Sequence, residues 1–200
     1  MIDTVSRIFS ILLCALLAMP AVGQSTAGEI RSMLESRDRD IKAMLGAEGD
    51  ISDAQREELR VVINGVIDFG AMGKAALGPH WDDLTPAQRD KFVSVFGEIV
   101  RHQSLSDLDV YRSAVTYDDI QVEGDVAHVF TTTTYKDIPT PVEYELIRSD
   151  DSWVARDIIL DEVSTVGGYS RSFQAVIRKR GFDSLMQSLN KRLDSIRSES

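Results

Sequence analysis

The sequence predicts one α+β domain: helices covering one side of a curved antiparallel sheet of about four strands. Three observations lead there. Apolar residues recur at helical spacing up to about residue 110 and again after residue 168, whereas between about 115 and 163 they alternate with polar ones in runs rich in Val, Ile, Thr, Tyr and Phe. The connections between those runs are short, which suits antiparallel neighbours. The chain has 200 residues, 43% of them hydrophobic, enough for one buried core, and it shows neither repeats nor a linker.

The first residues read as an address rather than as part of the fold. Ile8 to Met19 form an apolar run, too short for the roughly 20 residues of a spanning helix. Arg7 precedes it, and Ala21 and Gly23 follow. This is a signal-peptide pattern over residues 1–23, with cleavage before Gln24 and export of a domain covering 24–200. Cleavage removes one acid, Asp3, and one base, Arg7, so the net charge stays at -10. It also removes Cys14, the only cysteine. Bulky Leu13 before it argues against a lipoprotein site, and without it disulfides, thiol nucleophiles and cysteine metal sites are excluded.

In the exported part, Ile30, Met33, Leu34, Ile41, Met44 and Leu45 predict an amphipathic helix over 26–45, broken by Gly46 and Gly49. Ser52 is placed to cap a second helix with the stripe Leu59, Val62, Ile63 and Val66, which continues helically from Asp68 to Leu77. Leu77-Gly78-Pro79 is a stop. Thr85-Pro86-Ala87-Gln88 opens another helix, with Thr85 as cap and Gln88 closing a capping box. Phe92, Val95, Phe96, Ile99 and Val100 give it one apolar stripe, and it is expected to end near Leu108 to Tyr111.

Strands are predicted at Val115–Val122, Val126–Tyr135, Pro141–Ile147 and Trp153–Val163, with turns at Glu123-Gly124-Asp125 and Ser149-Asp150-Asp151-Ser152. Val142, Tyr144 and Leu146 alternate with Glu143 and Glu145, so that strand has one dry face. Gly167-Gly168 should separate the last strand from a helix carrying Tyr169, Phe173, Val176 and Ile177. Gly181 punctuates it before a final helix with Phe182, Leu185, Met186, Leu189 and Leu193.

The charge excludes some partners. With 32 acidic against 22 basic residues and a pI near 4.8, a nucleic-acid binder is disfavoured, as is broad adhesion to anionic headgroups. Chemistry is scarce. His80, His102 and His128 share no ligand spacing, so no metal site is expected. No phosphate loop or dinucleotide fingerprint occurs. Gly168-Tyr169-Ser170-Arg171-Ser172 lacks the closing glycine of a nucleophile elbow. The neighbouring acids Asp118-Asp119, Asp150-Asp151 and Asp161-Glu162 point to opposite strand faces and do not converge. Asp157 differs: beside Ile158-Ile159-Leu160 it would be a buried carboxylate needing a partner, expected to be an arginine such as Arg171. An enzyme on this architecture would use Asp157 or His128 as base.

Two segments resemble the MlaC family of periplasmic phospholipid-shuttle proteins, also called the toluene-tolerance family. The first runs from Asp68 to Phe96 and carries Asp68-Phe69, Leu77-Gly78, Trp81, Thr85-Pro86, Gln88-Arg89, Phe92 and Phe96. The second carries Trp153 and Asp157 in a W-x-x-x-D pattern, Val163-Ser164, Tyr169 and Phe173, followed by Gly181 and Leu185. The likeness covers about residues 30–193. Two positions depart from it: Ser170 stands between Tyr169 and Arg171, and Gln103 replaces a tyrosine common there. The resemblance implies an MlaC-like, NTF2-like α+β fold, no catalysis and no cofactor. It further implies a periplasmic carrier that buries phospholipid acyl chains, or a related lipid such as a hopanoid, in an apolar cavity between outer and inner membranes. The implied partners are an inner-membrane ABC transporter with an MCE-domain ring and an outer-membrane lipoprotein complex. An envelope adaptor with a filled core is the alternative.

Candidate lining residues for such a cavity are Phe69, Met72, Phe96, Val100, Val129, Tyr144, Leu146, Ile158, Val166, Tyr169, Phe173, Ile177 and Leu185. For each, tail contact and ordinary core packing are equally open on pattern alone. Met72 suits variable tails because a thioether adapts its shape.

Overall fold

The chain is described by a computed structural model covering residues 21–46, 49 and 51–199. The expected signal peptide lies mostly outside the described residues, and its expected cleavage point falls in the first turn of α1 (Ala21–Leu45). No helix among the described residues is long and apolar enough to cross a membrane.

Helix α2 (Asp53–Asn64) starts at the predicted cap, where Ser52 and Gln55 form a full capping box. It does not continue into the next helix. The chain leaves helical geometry after Asn64, and α3 (Phe69–Leu77) begins afresh with Asp68 accepting from the Ala71 N–H at 2.9 Å. The cause is tertiary. Ala155 donates its N–H to the Val66 carbonyl, and Asp68 donates to the Ala155 carbonyl at 3.0 Å, so the intervening segment serves the sheet instead of a helix.

Helix α4 (Pro86–Ser104) opens with the Thr85/Gln88 capping box. It ends earlier than expected, and Leu108–Arg112 form a separate 3-10 turn. Tyr111 explains the stop by donating its hydroxyl to the Ser104 carbonyl at 2.9 Å, satisfying a group the helix end leaves free.

The strands are β1 (Ala114–Glu123), β2 (Val126–Tyr135), β3 (Ile138–Ser149), β4 (Ser152–Leu160) and β5 (Val163–Ser164). They lie in the order β1-β2-β3-β4-β5, each antiparallel to the next. The fourth predicted strand is therefore two, folded at Asp161-Glu162. Both turn residues have positive φ, 47° and 64°, as a two-residue hairpin with right-twisted strands requires. Gly167-Gly168 do not form a linker; they lie in the first turn of α5 (Thr165–Arg180), whose cap Ser164 accepts from the Gly167 N–H at 2.7 Å. Gly181 then takes φ 81° and lets α6 (Phe182–Glu199) begin.

The buried apolar residues form three separate clusters. One is helical, from α3, α4, α5 and α6, and centres on Phe92, stacked on Phe96 at 5.4 Å and edge-on to Phe173 at 5.8 Å. The second joins Ile30 and Leu34 of α1 to Ala127, Val129, Leu146 and Ala155 of the sheet. The third packs the end of α1 on α2 through Ile41, Leu45, Leu59 and Ile63. The helices thus occupy one face of the sheet. The outer face carries polar pairs, His128–Glu143 at 2.7 Å and Arg156–Glu145.

Candidate functional site

Register decides what faces the helices. Ala127, Val129, Thr131 and Thr133 of β2 are buried, and residues directly opposite one another share a face. On β1 this face receives Val122, Ile120, Tyr117 and Val115; on β3 it receives Leu146, Tyr144, Val142, Thr140 and Ile138. Bulges after Tyr117 and Glu145 shift the count by one, so β4 contributes Ala155, Ile158 and Leu160. Val163 of β5 stands opposite Leu160.

On β2 this face stays buried as far as Thr133, 8% exposed, whereas along β3 and β4 burial falls from one end to the other. Leu146, Ala127 and Ala155 are 0% exposed under α1 and α3. Val142, Tyr144 and Ile158 are half-buried. At the far end Leu160 is 52% exposed, Val163 61% and Ile138 65%. An apolar track therefore runs from the core along β3 and β4 to the Val142–Leu160 pair and on to Val163, while on β3 Thr140 separates Val142 from Ile138. Thr131 and Thr133 beside it add small hydroxyls, of which the Thr131 hydroxyl donates to the Val142 carbonyl at 2.8 Å.

Tyr144 lies midway along this track, opposite Ile158. Burial pushes its hydroxyl above the ordinary tyrosine value of 10.0, with the Asp38 charge adding to the effect. The side chain nonetheless keeps accessible surface. Tyr111, on the 3-10 turn, and Tyr117, on β1, are raised by burial first and also feel Tyr144, so three elements bring tyrosines to this place.

The thirteen predicted lining residues divide into two groups. Met72, Phe96, Val129, Leu146, Phe173 and Leu185 are at most 3% exposed and belong to the clusters themselves, together with nearly buried Phe69 and Val100. Tyr144, Ile158, Val166, Tyr169 and Ile177 are half-buried. Val166, Tyr169 and Ile177 lie on α5 against the helical cluster, while Tyr144 and Ile158 lie on the sheet. Tyr169 donates its hydroxyl to Gln103, the position that departs from the family pattern. Two open surface depressions, of about 520 and 280 Å³, include none of the thirteen; the larger is lined by Trp81, Pro86, Arg89 and Val93. The sequence reading missed Tyr117, Val142, Ile138, Leu160 and Val163. The alternation it noted at Val142 and Tyr144 extends to Ile138, but only the two bulges show which residues of β1 and β4 join that face.

Asp157 has a different partner from the one expected. It forms no ion pair with Arg171. One carboxylate oxygen accepts the Ser164 hydroxyl at 2.5 Å; the other accepts the N–H of Val166 at 3.0 Å and of Ile158 at 2.8 Å. The negative charge sits at the N-terminus of α5, where the helix dipole favours it. An arginine is unnecessary because backbone N–H groups and a hydroxyl already solvate the carboxylate. His128, the other base considered, is paired with Glu143 and makes no hydrogen bond to Asp157. No acid/base pair is assembled by these two residues.

The fold defines a class: an open antiparallel sheet with helices on one face and an apolar track along that face. A sequence model of the MlaC protein family matches residues 38–191, most of the chain. The chain belongs to the MlaC family. No curated protein sequence matches it. Among solved structures, a phospholipid-binding protein from Ralstonia solanacearum, determined in complex with a phospholipid at 1.53 Å resolution, is 22% identical; the match covers 85% of this chain and 97% of that one, with a TM-score of 0.70. At that identity the likeness establishes the shared fold.

Proposed function

We propose that the protein is a periplasmic lipid carrier that shelters phospholipid acyl chains between its sheet and its helices and moves them between the outer and inner membranes. The observation that carries this reading is the graded apolar track ending at Leu160 and Val163. Soluble proteins rarely leave large apolar side chains in one line from core to surface without a use for them. Family membership and the phospholipid held by the Ralstonia protein support the same reading.

The physics is differential burial. A phospholipid has roughly 30 methylenes at about 0.8 kcal/mol each, so its tails resist entering water by about 20 kcal/mol. A carrier must replace bilayer with apolar protein surface. Here Tyr144 and Ile158 from the sheet and Val166, Tyr169 and Ile177 from α5 offer that surface. Because the apolar interior consists of separate clusters, tails can enter along a boundary without dismantling any one of them. The acidic balance, -10 overall, repels anionic bilayers and favours partner proteins with basic docking patches. An inner-membrane ABC transporter with an MCE-domain ring and an outer-membrane lipoprotein complex are the proposed partners.

The test is direct. Protein exported to a Gram-negative periplasm, purified without detergent and extracted with organic solvent, should yield close to one phospholipid per chain by mass spectrometry. A chain that carries no lipid and takes none from labelled vesicles overturns the proposal.

A further inference from the structure

We propose that the exposed side of the α5–α6 hairpin is the face with which the protein touches an anionic lipid bilayer, held there by charge and readily released. The inference goes beyond the carrier reading, because it says which side of the molecule meets a membrane.

The net charge of -10 is unevenly spread. Residues 165–199 carry seven basic and three acidic side chains, whereas the rest of the chain carries 15 basic and 29 acidic. The seven are Arg171, Arg178, Lys179 and Arg180 on α5 and Lys191, Arg192 and Arg197 on α6, and all are exposed. None has a carboxylate partner among the described residues. Elsewhere Arg31, Lys42, Arg60, Arg101, Arg112 and Arg156 are each paired with one. Helix ends account for part of the seven: Arg178, Lys179 and Arg180 close α5 and Arg197 closes α6, where the dipole favours a cation. Arg171, Lys191 and Arg192 stand well before either end, beyond the reach of that effect.

The other exposed positions say what kind of partner fits. On these two helices they are small or polar, among them Gly168, Ser172, Gln187, Ser188 and Ser195. Among the described residues the exposed large apolar side chains are Val61, Ile138, Leu160 and Val163, none of them on α5 or α6. A protein interface is centred on aromatic or aliphatic anchors and is poor in lysine at its core. A bilayer surface needs no anchor: it is a fluid array of phosphates, and a cluster of about four to eight bases suits it.

Position agrees. Val163, at the surface end of the apolar track, immediately precedes Ser164, the cap of α5. Arg171 reaches back to the first turn of that helix, its Nη1 3.7 Å from where a Cβ on Gly167 would stand. The positive side therefore begins at the helix end that adjoins the track. Exposed charges act over only about 10 Å at 0.1 M salt. The acids elsewhere turn their side away from the bilayer, and the bases hold only at contact.

Co-sedimentation with sucrose-loaded vesicles tests the inference. The wild type should bind phosphatidylcholine vesicles containing about 30% phosphatidylglycerol at about 0.05 M salt, leave them at about 0.5 M, and ignore pure phosphatidylcholine. Lys191→Gln with Arg192→Gln should weaken that binding roughly tenfold. Arg39→Gln with Arg56→Gln, on α1 and α2, changes the net charge equally and should leave binding within about twofold. Both pairs are exposed, and neither should lower the melting temperature. Equal binding to neutral vesicles, or equal weakening in the two double variants, overturns the inference. Absence of wild-type binding to the anionic vesicles also overturns it, in favour of an acidic protein surface. Lipid carriage is read separately, by the lipid extracted from the purified protein, and stands whichever way the vesicles decide.

Discussion

Asp157 of β4 accepts the backbone N–H of Val166 at 3.0 Å and the Ser164 hydroxyl at 2.5 Å, and through these bonds the sheet sets where α5 begins. Helix α5 carries Val166, Tyr169 and Ile177, so the same carboxylate sets the position of these three side chains. Asp157→Asn puts an amide N–H where an acceptor is needed and should cost about 1–3 kcal/mol of stability. Urea unfolding measures it. A variant as stable as the wild type would show that this junction does not depend on the carboxylate.

Gly73 of α3 faces Phe92, and a Cβ there would stand 2.9 Å from the ring carbon Cε1. Phe92 is wedged between Phe96 and Phe173 and cannot yield easily. Gly73→Ala should therefore destabilise the fold by about 1–3 kcal/mol although alanine favours helices. Equal or greater thermal stability in that variant would mean that the aromatic cluster rearranges freely.

The surface end of the track should control lipid passage without holding the fold together. Leu160→Asp, at a side chain 52% exposed, should leave the melting temperature within a few degrees of the wild type. The same variant should slow uptake of fluorescent phospholipid from vesicles at least severalfold, because a carboxylate then faces the passing tails. Unchanged uptake would place the mouth of the track elsewhere.

Burial raises the hydroxyls of Tyr111, Tyr117, Tyr144 and Tyr169 above the ordinary value of 10.0. Above that value the unfolded chain loses tyrosine protons that the folded chain keeps, so the unfolded state binds fewer protons and stability falls as pH rises. Below it these groups add no pH dependence. Near-ultraviolet absorbance should show fewer tyrosinates in the folded than in the urea-unfolded protein at pH about 11, and the urea midpoint should drop between pH about 9 and 11. Coincident folded and unfolded titrations would contradict the enclosed placement of these side chains.

Local signals settled much of this protein. The capping boxes at Ser52/Gln55 and Thr85/Gln88 start helices where the sequence places them, because the bonds involved span only three residues. The alternation of Val142, Tyr144 and Leu146 fixes one dry face, since side chains on a strand reverse direction at every residue. What the sequence could not decide depends on contacts between distant residues. The break between α2 and α3 exists because Ala155 bonds Val66 and Asp68, and α4 ends where Tyr111 takes the Ser104 carbonyl. Asp157 finds the start of α5 rather than Arg171 for the same reason. The division between sealed and half-buried residues is also tertiary. Phe96 and Tyr169 touch at 5.0 Å and read alike as apolar stripe residues, yet one is sealed and the other keeps open surface. Hydrophobicity assigns a side chain to the interior; only the placement of sheet against helices determines whether other side chains or a gap for hydrocarbon lies next to it.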